Sequence, residues 1–353
     1  MSGGVDSSVA AALLKEAGHE VAGATIRTWA SNQCADLNTR ACCGLSGVED
    51  ARDVAASLQI PYWVFNFEKE FKQHVVDQFA SEYMKGRTPN PCISCNEHVK
   101  FRLFYERAKA LGFDAIATGH YAQVTREEAS GRYYLIEGHD AHKDQSYVLF
   151  PLSQDILSHL YLPVGGFTKA EIRAKAAARN LCVANKPDSQ EICFIPSNDY
   201  GNFLNREYAG RTQAVGKGII RTRDGRVVGE HEGFFHYTRG QRRGLGGGNG
   251  ERLYVVETLP ETNEVVVGTK EEVFGLSCIV GRINWFLKPD FKNNVRAQVK
   301  IRSQHQQADA FLIPMEDGRV LVEFEEAQDA ITPGQAAVFY DGSKVLGGGW
   351  IDV

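Results

Sequence analysis

The sequence predicts an α/β protein with a parallel-sheet N-terminal domain, followed by a small mixed module and a C-terminal β-barrel or sandwich. Three observations lead there. The first 120 residues alternate short apolar runs with helical patterns, a glycine-rich segment runs straight into the first helix, and the second half carries Asp-Gly pairs between extended runs. Strand and helix in alternation imply βαβ units, whereas Asp-Gly flanked by alternating apolar residues marks tight hairpins.

Taken in order, a helix is expected over residues 7–17, stopped by Gly18, then a strand at 21–26 and a helix at 48–58. Ser46 and Glu49 have the spacing of a capping box for that second helix. A strand at 62–67, helices at 71–84 and 99–111 and a strand at 115–118 continue the βαβ series. Residues 154–181 turn helical, with Thr168 and Glu171 as a second capping box. Beyond them Asp224-Gly225, Asp317-Gly318 and Asp341-Gly342 predict hairpins. Boundaries near 195–205 and 268–275 divide the chain into 1–200, 201–270 and 271–353.

A chain of 353 residues exceeds one ordinary core and is expected to form two or three domains. No apolar run is long enough to cross a bilayer and no signal-peptide pattern is present, so a cytoplasmic protein without a membrane partner is expected. Eight cysteines in that setting read as thiols, metal ligands or catalytic groups rather than a disulfide framework. The net charge of -5 argues against a protein that simply coats nucleic acid, and leaves local basic surfaces open.

Ser2-Gly3-Gly4-Val5-Asp6-Ser7-Ser8 can aim backbone N–H groups and a helix N-terminus at an anion. It lacks the Gly-Lys-Ser/Thr ending of a Walker loop. Asp6 suits a phosphate site only if it bridges a metal ion or caps the helix. Read blandly, the segment is an ordinary turn and cap.

In the stretch Arg87-Thr88-Pro89-Asn90-Pro91-Cys92-Ile93-Ser94-Cys95-Asn96 two thiols stand three apart, after a proline-stiffened loop and just before an expected helix whose N-terminus lowers thiol pKa. Cys193 lies almost a hundred residues on, in Asp188-Ser189-Gln190-Glu191-Ile192-Cys193-Phe194-Ile195. Cys34, Cys42 and Cys43 read as loop or core packing, and Cys182 and Cys278 as structural.

The heptapeptide resembles the SGGxDS loop of the PP-loop ATP pyrophosphatases. With GRTPNPxxxCN, KF, ATGHY, KDQSY, SQEICF, YTRGQRRGLG and PGQAAVFY in that order, nearly the whole chain resembles the tRNA-specific 2-thiouridylases. The resemblance implies a PP-loop (adenine nucleotide alpha hydrolase-like) domain, adenylation of the wobble uridine of tRNA by ATP with Mg²⁺, and replacement of its 2-oxygen by sulfur. ATP contacts are then Ser2, Gly3, Gly4, Val5, Asp6, Ser7, Ile26 and Gly119. Contacts to tRNA are Asn90, Pro91, Cys92, His120, Lys143, Asp144, Gln145, Arg302, Ser303 and Gln335. Cys95 acts as nucleophile on a persulfide carried by Cys193, loaded by a sulfur donor such as a cysteine desulfurase or a sulfur relay. A loop of this family follows a central strand, which the sequence would be expected to need ahead of Met1.

The best-known family pattern has aspartate where this chain has Cys92. Three thiolates, Cys92, Cys95 and Cys193, are also a ligand set for a 4Fe-4S cluster with an open iron, or less fittingly for a structural Zn²⁺. Arg239, Arg242 and Arg243 among glycines, and Arg296, Gln298, Lys300 and Arg302 alternating with buried positions on one strand, are candidate basic surfaces for RNA. Two rivals remain: a PP-loop ligase that adenylates an acid, and a non-catalytic tRNA-binding protein with a structural metal.

Overall fold

The computed structural model describes residues 1–28, 45–188, 192–195, 199–245 and 252–352; Cys34, Cys42 and Cys43 lie outside them. Helix α1 (Val5–Glu16) leads to strand β1 (Gly23–Arg27), helix α2 (Leu45–Ser57) and strand β2 (Tyr62–Asn66). Valine and alanine dominate α1, so neighbours approach it closely: Val5, Val9 and Ala10 pack with Val54 of α2 and with Ile172 and Ala176 of the Lys169–Ala178 helix. Ser46 sits inside α2, so it does not cap that helix, and the capping box expected with Glu49 is not formed. The Thr168–Glu171 box is present in full.

Strands β3 (Ile116–Ala117), β4 (Ala122–Arg126), β5 (Tyr133–Glu137) and β6 (Leu160–Tyr161) complete the N-terminal part. Parallel pairing is split between two ladders, β1 with β2 and β3 with β6. The antiparallel hairpin β4–β5 was not anticipated. A helical run starts at Pro91 and continues through Cys95–Leu103 to Phe104–Ala110, eight residues earlier than its apolar periodicity indicates.

Strands β7 (Gly218–Thr222), β8 (Val227–His231), β9 (Tyr254–Leu259) and β10 (Glu264–Gly268) form a four-stranded sheet in the order β8-β7-β10-β9. The last six strands are β11 (Phe274–Trp285), β12 (Val295–Lys300), β13 (Ala308–Pro314), β14 (Val320–Asp329), β15 (Ala336–Asp341) and β16 (Lys344–Ile351). Their order β11-β14-β13-β12-β15-β16 closes through β11–β16, so the terminal unit is a barrel. Val280, Ala297, Val299, Leu312, Val322 and Phe339 are buried together inside it, one per alternate position, as the strand period requires. The three Asp-Gly pairs fall between β7 and β8, β13 and β14, and β15 and β16.

Cores run across these parts. Ile93, Phe101, Tyr147 and Phe150 share a cluster with Phe286, Ala336, Val338 and Tyr340 from the barrel, and β5 meets β16 at Ile136 and Lys344. Phe71, Phe79 and Phe194 share another with Phe203, Phe234 and Val265. No helix among the described residues is long and apolar enough to cross a membrane.

Candidate active site

The phosphate loop is shaped by two glycines that tolerate no side chain. Gly3 has φ +69, and a Cβ there would lie 2.2 Å from the Gly47 carbonyl oxygen. Gly119, after β3, packs on the start of α1 so closely that a Cβ would lie 2.6 Å from the Ser7 nitrogen and 2.7 Å from the Asp6 carbonyl carbon. Gly4 is the N-cap and supplies no side-chain bond, which leaves the first N–H groups of α1 to face an anion. The Ser2 N–H donates to Ser7 Oγ at 3.1 Å, closing the loop on itself.

Asp6 neither caps α1 nor points at an empty site. Both its oxygens accept from Lys169 Nζ, at 2.7 and 2.8 Å, and Oδ1 also accepts from the Tyr121 hydroxyl at 2.7 Å. Lys169 is the first residue of the helix capped by Thr168, so the capping box fixes its position. Its ammonium also lies 2.9 Å from Asp188 Oδ1, and Asp188 is bonded by Lys143 at 2.7 Å and by Arg173 at 2.9 Å. Burial alone would raise the Asp188 carboxyl, but the hydrogen bonds and charges of Lys143 and Lys169 outweigh it and hold the group down to about 2.

A cleft of about 1740 Å³ joins these residues. It is lined by Ser2, Gly3, Gly4, Val5, Asp6, Ser7, Ile26, Gly119, His120, Lys143, Asp144, Gln145 and Ser303. Its volume exceeds the usual range of about 300–1,000 Å³ for a single small ligand, leaving room for more than a nucleotide. The ATP candidates and five of the RNA candidates therefore share one space. Arg302, Gln335, Asn90, Pro91 and Cys92 lie outside its lining.

Several RNA candidates are engaged internally. The Asp144 carboxylate, 5% exposed, accepts from the Gly138 N–H, the Ser146 N–H and hydroxyl, and Lys300. Gln145 Oε1 accepts from the Tyr121 N–H at 3.0 Å, and Gln335 Nε2 donates to the Thr88 carbonyl at 2.8 Å. His120 is buried, pairs with Thr118 Oγ1 at 2.8 Å, and is driven down to about 3 by desolvation and by Lys100. Arg302, Ser303, Arg242 and Arg243 are exposed. The basic face expected on β12 is neutralised: Arg296 pairs with Asp309 and Glu325, and Lys300 with Glu137 and Asp144.

The thiols stand beside the cleft and not in its lining. Asn90 caps their helix, its side chain accepting from the Cys92 N–H at 3.0 Å, and Pro91 occupies the first turn. Cys92 is exposed and Cys95, one turn on, is buried. An Asn-Pro pair at cap and first turn was the missed signal for this helix start. Cys95 belongs to the cluster of Phe71, Phe79 and Phe194, and Cys193 packs against the same cluster. Ile26, Phe65 and Phe104 also pack on it and line the cleft, so they form the wall between thiols and phosphate loop.

Among the described residues no group of three His, Cys, Asp or Glu side chains is placed to hold a metal ion. Cys92, Cys95 and Cys193, all described, thus do not form the ligand set that a 4Fe-4S cluster or structural zinc needs. A Mg²⁺ ion finds no cage either, since Lys169 and Tyr121 occupy the Asp6 oxygens; ATP phosphates would have to supply most of its ligands.

An anion-receiving loop beneath parallel strands, sharing its cleft with a β-barrel, defines an α/β nucleotide-binding domain with two appended β modules. Residues 1–197 match the tRNA methyl transferase HUP domain, 202–269 the tRNA methyl transferase PRC-barrel domain, and 261–351 the aminomethyltransferase beta-barrel domain. The tRNA-specific 2-thiouridylase MnmA of Geotalea uraniireducens is 48% identical over all of this chain and 93% of its own length. That of Lachnoclostridium phytofermentans is 48% identical over 99% of this chain and 98% of its own, and that of Caldicellulosiruptor saccharolyticus 46% over 100% and 97%. The chain belongs to the tRNA-specific 2-thiouridylase family.

Proposed function

We propose that this protein is a tRNA-uridine 2-sulfurtransferase that adenylates the wobble uridine with ATP and then delivers sulfur to C2. The observation that carries the reading is the single cleft in which the Ser2–Ser7 loop, Gly119, Lys143 and Ser303 meet. A carbonyl oxygen is a poor leaving group. Attack of the uridine O2 on the α-phosphorus releases pyrophosphate and converts that oxygen into part of AMP, which sulfur can displace. The loop amides at the α1 N-terminus stabilise charge on the phosphates, and Mg²⁺ bound with ATP adds charge neutralisation there.

In this reading Cys193 carries a terminal persulfide loaded by a cysteine desulfurase or sulfur-relay protein. Cys95 thiolate attacks the inner sulfur, hydrosulfide leaves, and a Cys95–Cys193 disulfide forms. Hydrosulfide adds at C2 and AMP departs; a thiol reductant then restores both cysteines. The shared packing of Cys95 and Cys193 on one cluster supports this pairing, as does the misfit of a cluster ligand set. In this reading the reaction runs in the cytoplasm, where ATP and tRNA are both present.

The test is thiolation of unmodified tRNA with ATP and a sulfur source, alongside iron analysis after anaerobic purification. Cys95→Ala and Cys193→Ala are expected to abolish 2-thiouridine while tRNA-dependent pyrophosphate release continues, and Cys92→Ala to retain product. Stoichiometric iron, with product lost in all three variants, would overturn the persulfide route. A protein that binds tRNA without releasing pyrophosphate would overturn the enzyme reading.

A further inference from the structure

We propose that Lys186 is a further substrate-contacting residue of the adenylation step, exchanging its bond to Asp50 for the oxygens of the pyrophosphate that leaves ATP. The inference rests on the reading of Ser2–Ser7 as the ATP site. Lys186 lines the cleft together with that loop, Ser46 and Pro187. Its backbone is fixed: the Lys186 N–H donates to the Val183 carbonyl at 3.0 Å, and Arg173 Nη1 donates to the carbonyls of Ala184 and Lys186, both at 3.0 Å. Pro187 follows and stiffens the chain there. Among the described residues the ammonium pairs with the Asp50 carboxylate of α2.

An ammonium has three N–H donors. Those of Lys169 meet two oxygens of Asp6 and one of Asp188, and those of Lys300 meet Glu137 and Asp144; both lysine side chains are only 12% exposed. Lys186 and Asp50 are each 35% exposed, and an ion pair so open to water is weakly held. Lys186 thus has donors to spare and a partner it can give up. Its place along the loop is also defined. Gly3 abuts the first turn of α2, where an added Cβ would meet the Gly47 carbonyl oxygen, and Asp50 stands one turn further along that helix. Gly119, Tyr121 and Lys169 meet the loop instead at Asp6 and Ser7. When uridine O2 bonds to the α-phosphorus, the bond from phosphorus to the bridging oxygen breaks and its electron pair leaves with pyrophosphate. An ammonium beside that oxyanion stabilises the charge as it develops, with no proton transferred. Pyrophosphate carries more negative charge than one carboxylate, so the exchange away from Asp50 is favoured.

The measurement is the affinity of the full chain for magnesium pyrophosphate and, separately, for AMP, by calorimetry. Lys186→Met is expected to weaken pyrophosphate binding by about tenfold or more, the worth of one hydrogen bond to a charged group, and to leave AMP binding little changed. Lys186→Arg should keep most of the pyrophosphate affinity. Asp50→Asn, which releases the ammonium and removes a repelling charge, should tighten pyrophosphate several-fold, a change of sign that a merely structural ion pair would not produce. Thermal melting confirms that each variant is folded. A folded Lys186→Met that binds pyrophosphate as the unmodified protein does, or that loses AMP equally, would overturn the proposal, as would an Asp50→Asn that binds pyrophosphate no more tightly. Failure of the unmodified protein to bind AMP or a non-hydrolysable ATP analogue at all would instead overturn the ATP-site reading, and this inference with it.

Discussion

At Gly119 a single missing methyl group decides whether the phosphate loop can exist. The nearest atoms to an added Cβ belong to the backbone of Asp6 and Ser7, at 2.7 and 2.6 Å, and backbone at a helix start cannot swing aside as a flexible side chain can. Gly119→Ala should cost about 1–3 kcal/mol, the usual range for overpacking. Because the strain falls on the loop itself, nucleotide affinity should drop tenfold or more in calorimetry. His120, its neighbour, makes a prediction of opposite character. Desolvation and Lys100 hold the folded imidazole down to about 3 against an ordinary 6.5. Between those values the unfolded chain binds the extra proton, so this residue's contribution to stability is complete above about 6.5 and is lost as pH falls toward 3. One such group gives a slope of about 1.4 kcal/mol per pH unit. Urea unfolding at pH 7, 6 and 5 should show that slope lessened by about that amount in His120→Gln. The sequence offered both residues as ligand contacts; only the packing reveals that one is needed for its lack of a side chain and that the other is buried.

At the scale of elements, local chemistry was readable where one short signal determines one turn. Asp-Gly pairs placed three hairpins correctly, and Thr168 with Glu171 placed a helix start. The same capping pattern failed at Ser46, where the chain is already helical. Hairpin β4–β5 escaped notice because its strands are joined by a longer connection with Gly131 at φ +69 and no two-residue turn signature. The thiols were legible from residue type, but their place on a helix beginning at Pro91 was not, since Asn90 and Pro91 suit a stiff loop as well as a helix start. The Thr168 cap has a consequence beyond its own helix, because Lys169 is the next residue. Thr168→Ala should lower unfolding free energy by about 1 kcal/mol, within the usual 0.5–2. It should also weaken the Lys169–Asp6 pairing beside the phosphate loop, seen as a lower nucleotide affinity in calorimetry; a stability loss with unaltered affinity would limit the cap to a structural part.

The molecule as a whole assembles its site from residues no local pattern could join. Lys169 and Asp6 stand 163 positions apart, and Gln335 reaches Thr88 across 247. The loop leading to Cys92 is held from both β modules: Thr258 donates to the Gly86 carbonyl at 3.0 Å, the Thr88 N–H to the Pro333 carbonyl at 2.9 Å, and Arg87 to the Ile351 carbonyl at 3.0 Å. The barrel thus sets the position of the thiol helix as well as any RNA contact it makes. Lys300 fastens the barrel to the N-terminal part most directly. Its ammonium is 2.6 Å from Glu137 and 3.2 Å from Asp144, with the lysine 12%, Glu137 23% and Asp144 5% exposed. Lys300→Met keeps the length of the stem but leaves two neighbouring carboxylates with little water and no cation. Removing one partner of such a buried set typically costs about 3–5 kcal/mol, mostly from the charge left behind. Pairing the change with Glu137→Gln removes half of that stranded charge, so the double variant should be more stable than Lys300→Met alone in urea unfolding. Equal loss in the single and double variants would mean that the seat of the ammonium over the Tyr340 ring, 5.0 Å from its centroid, and not the ion pairing, joins the two parts.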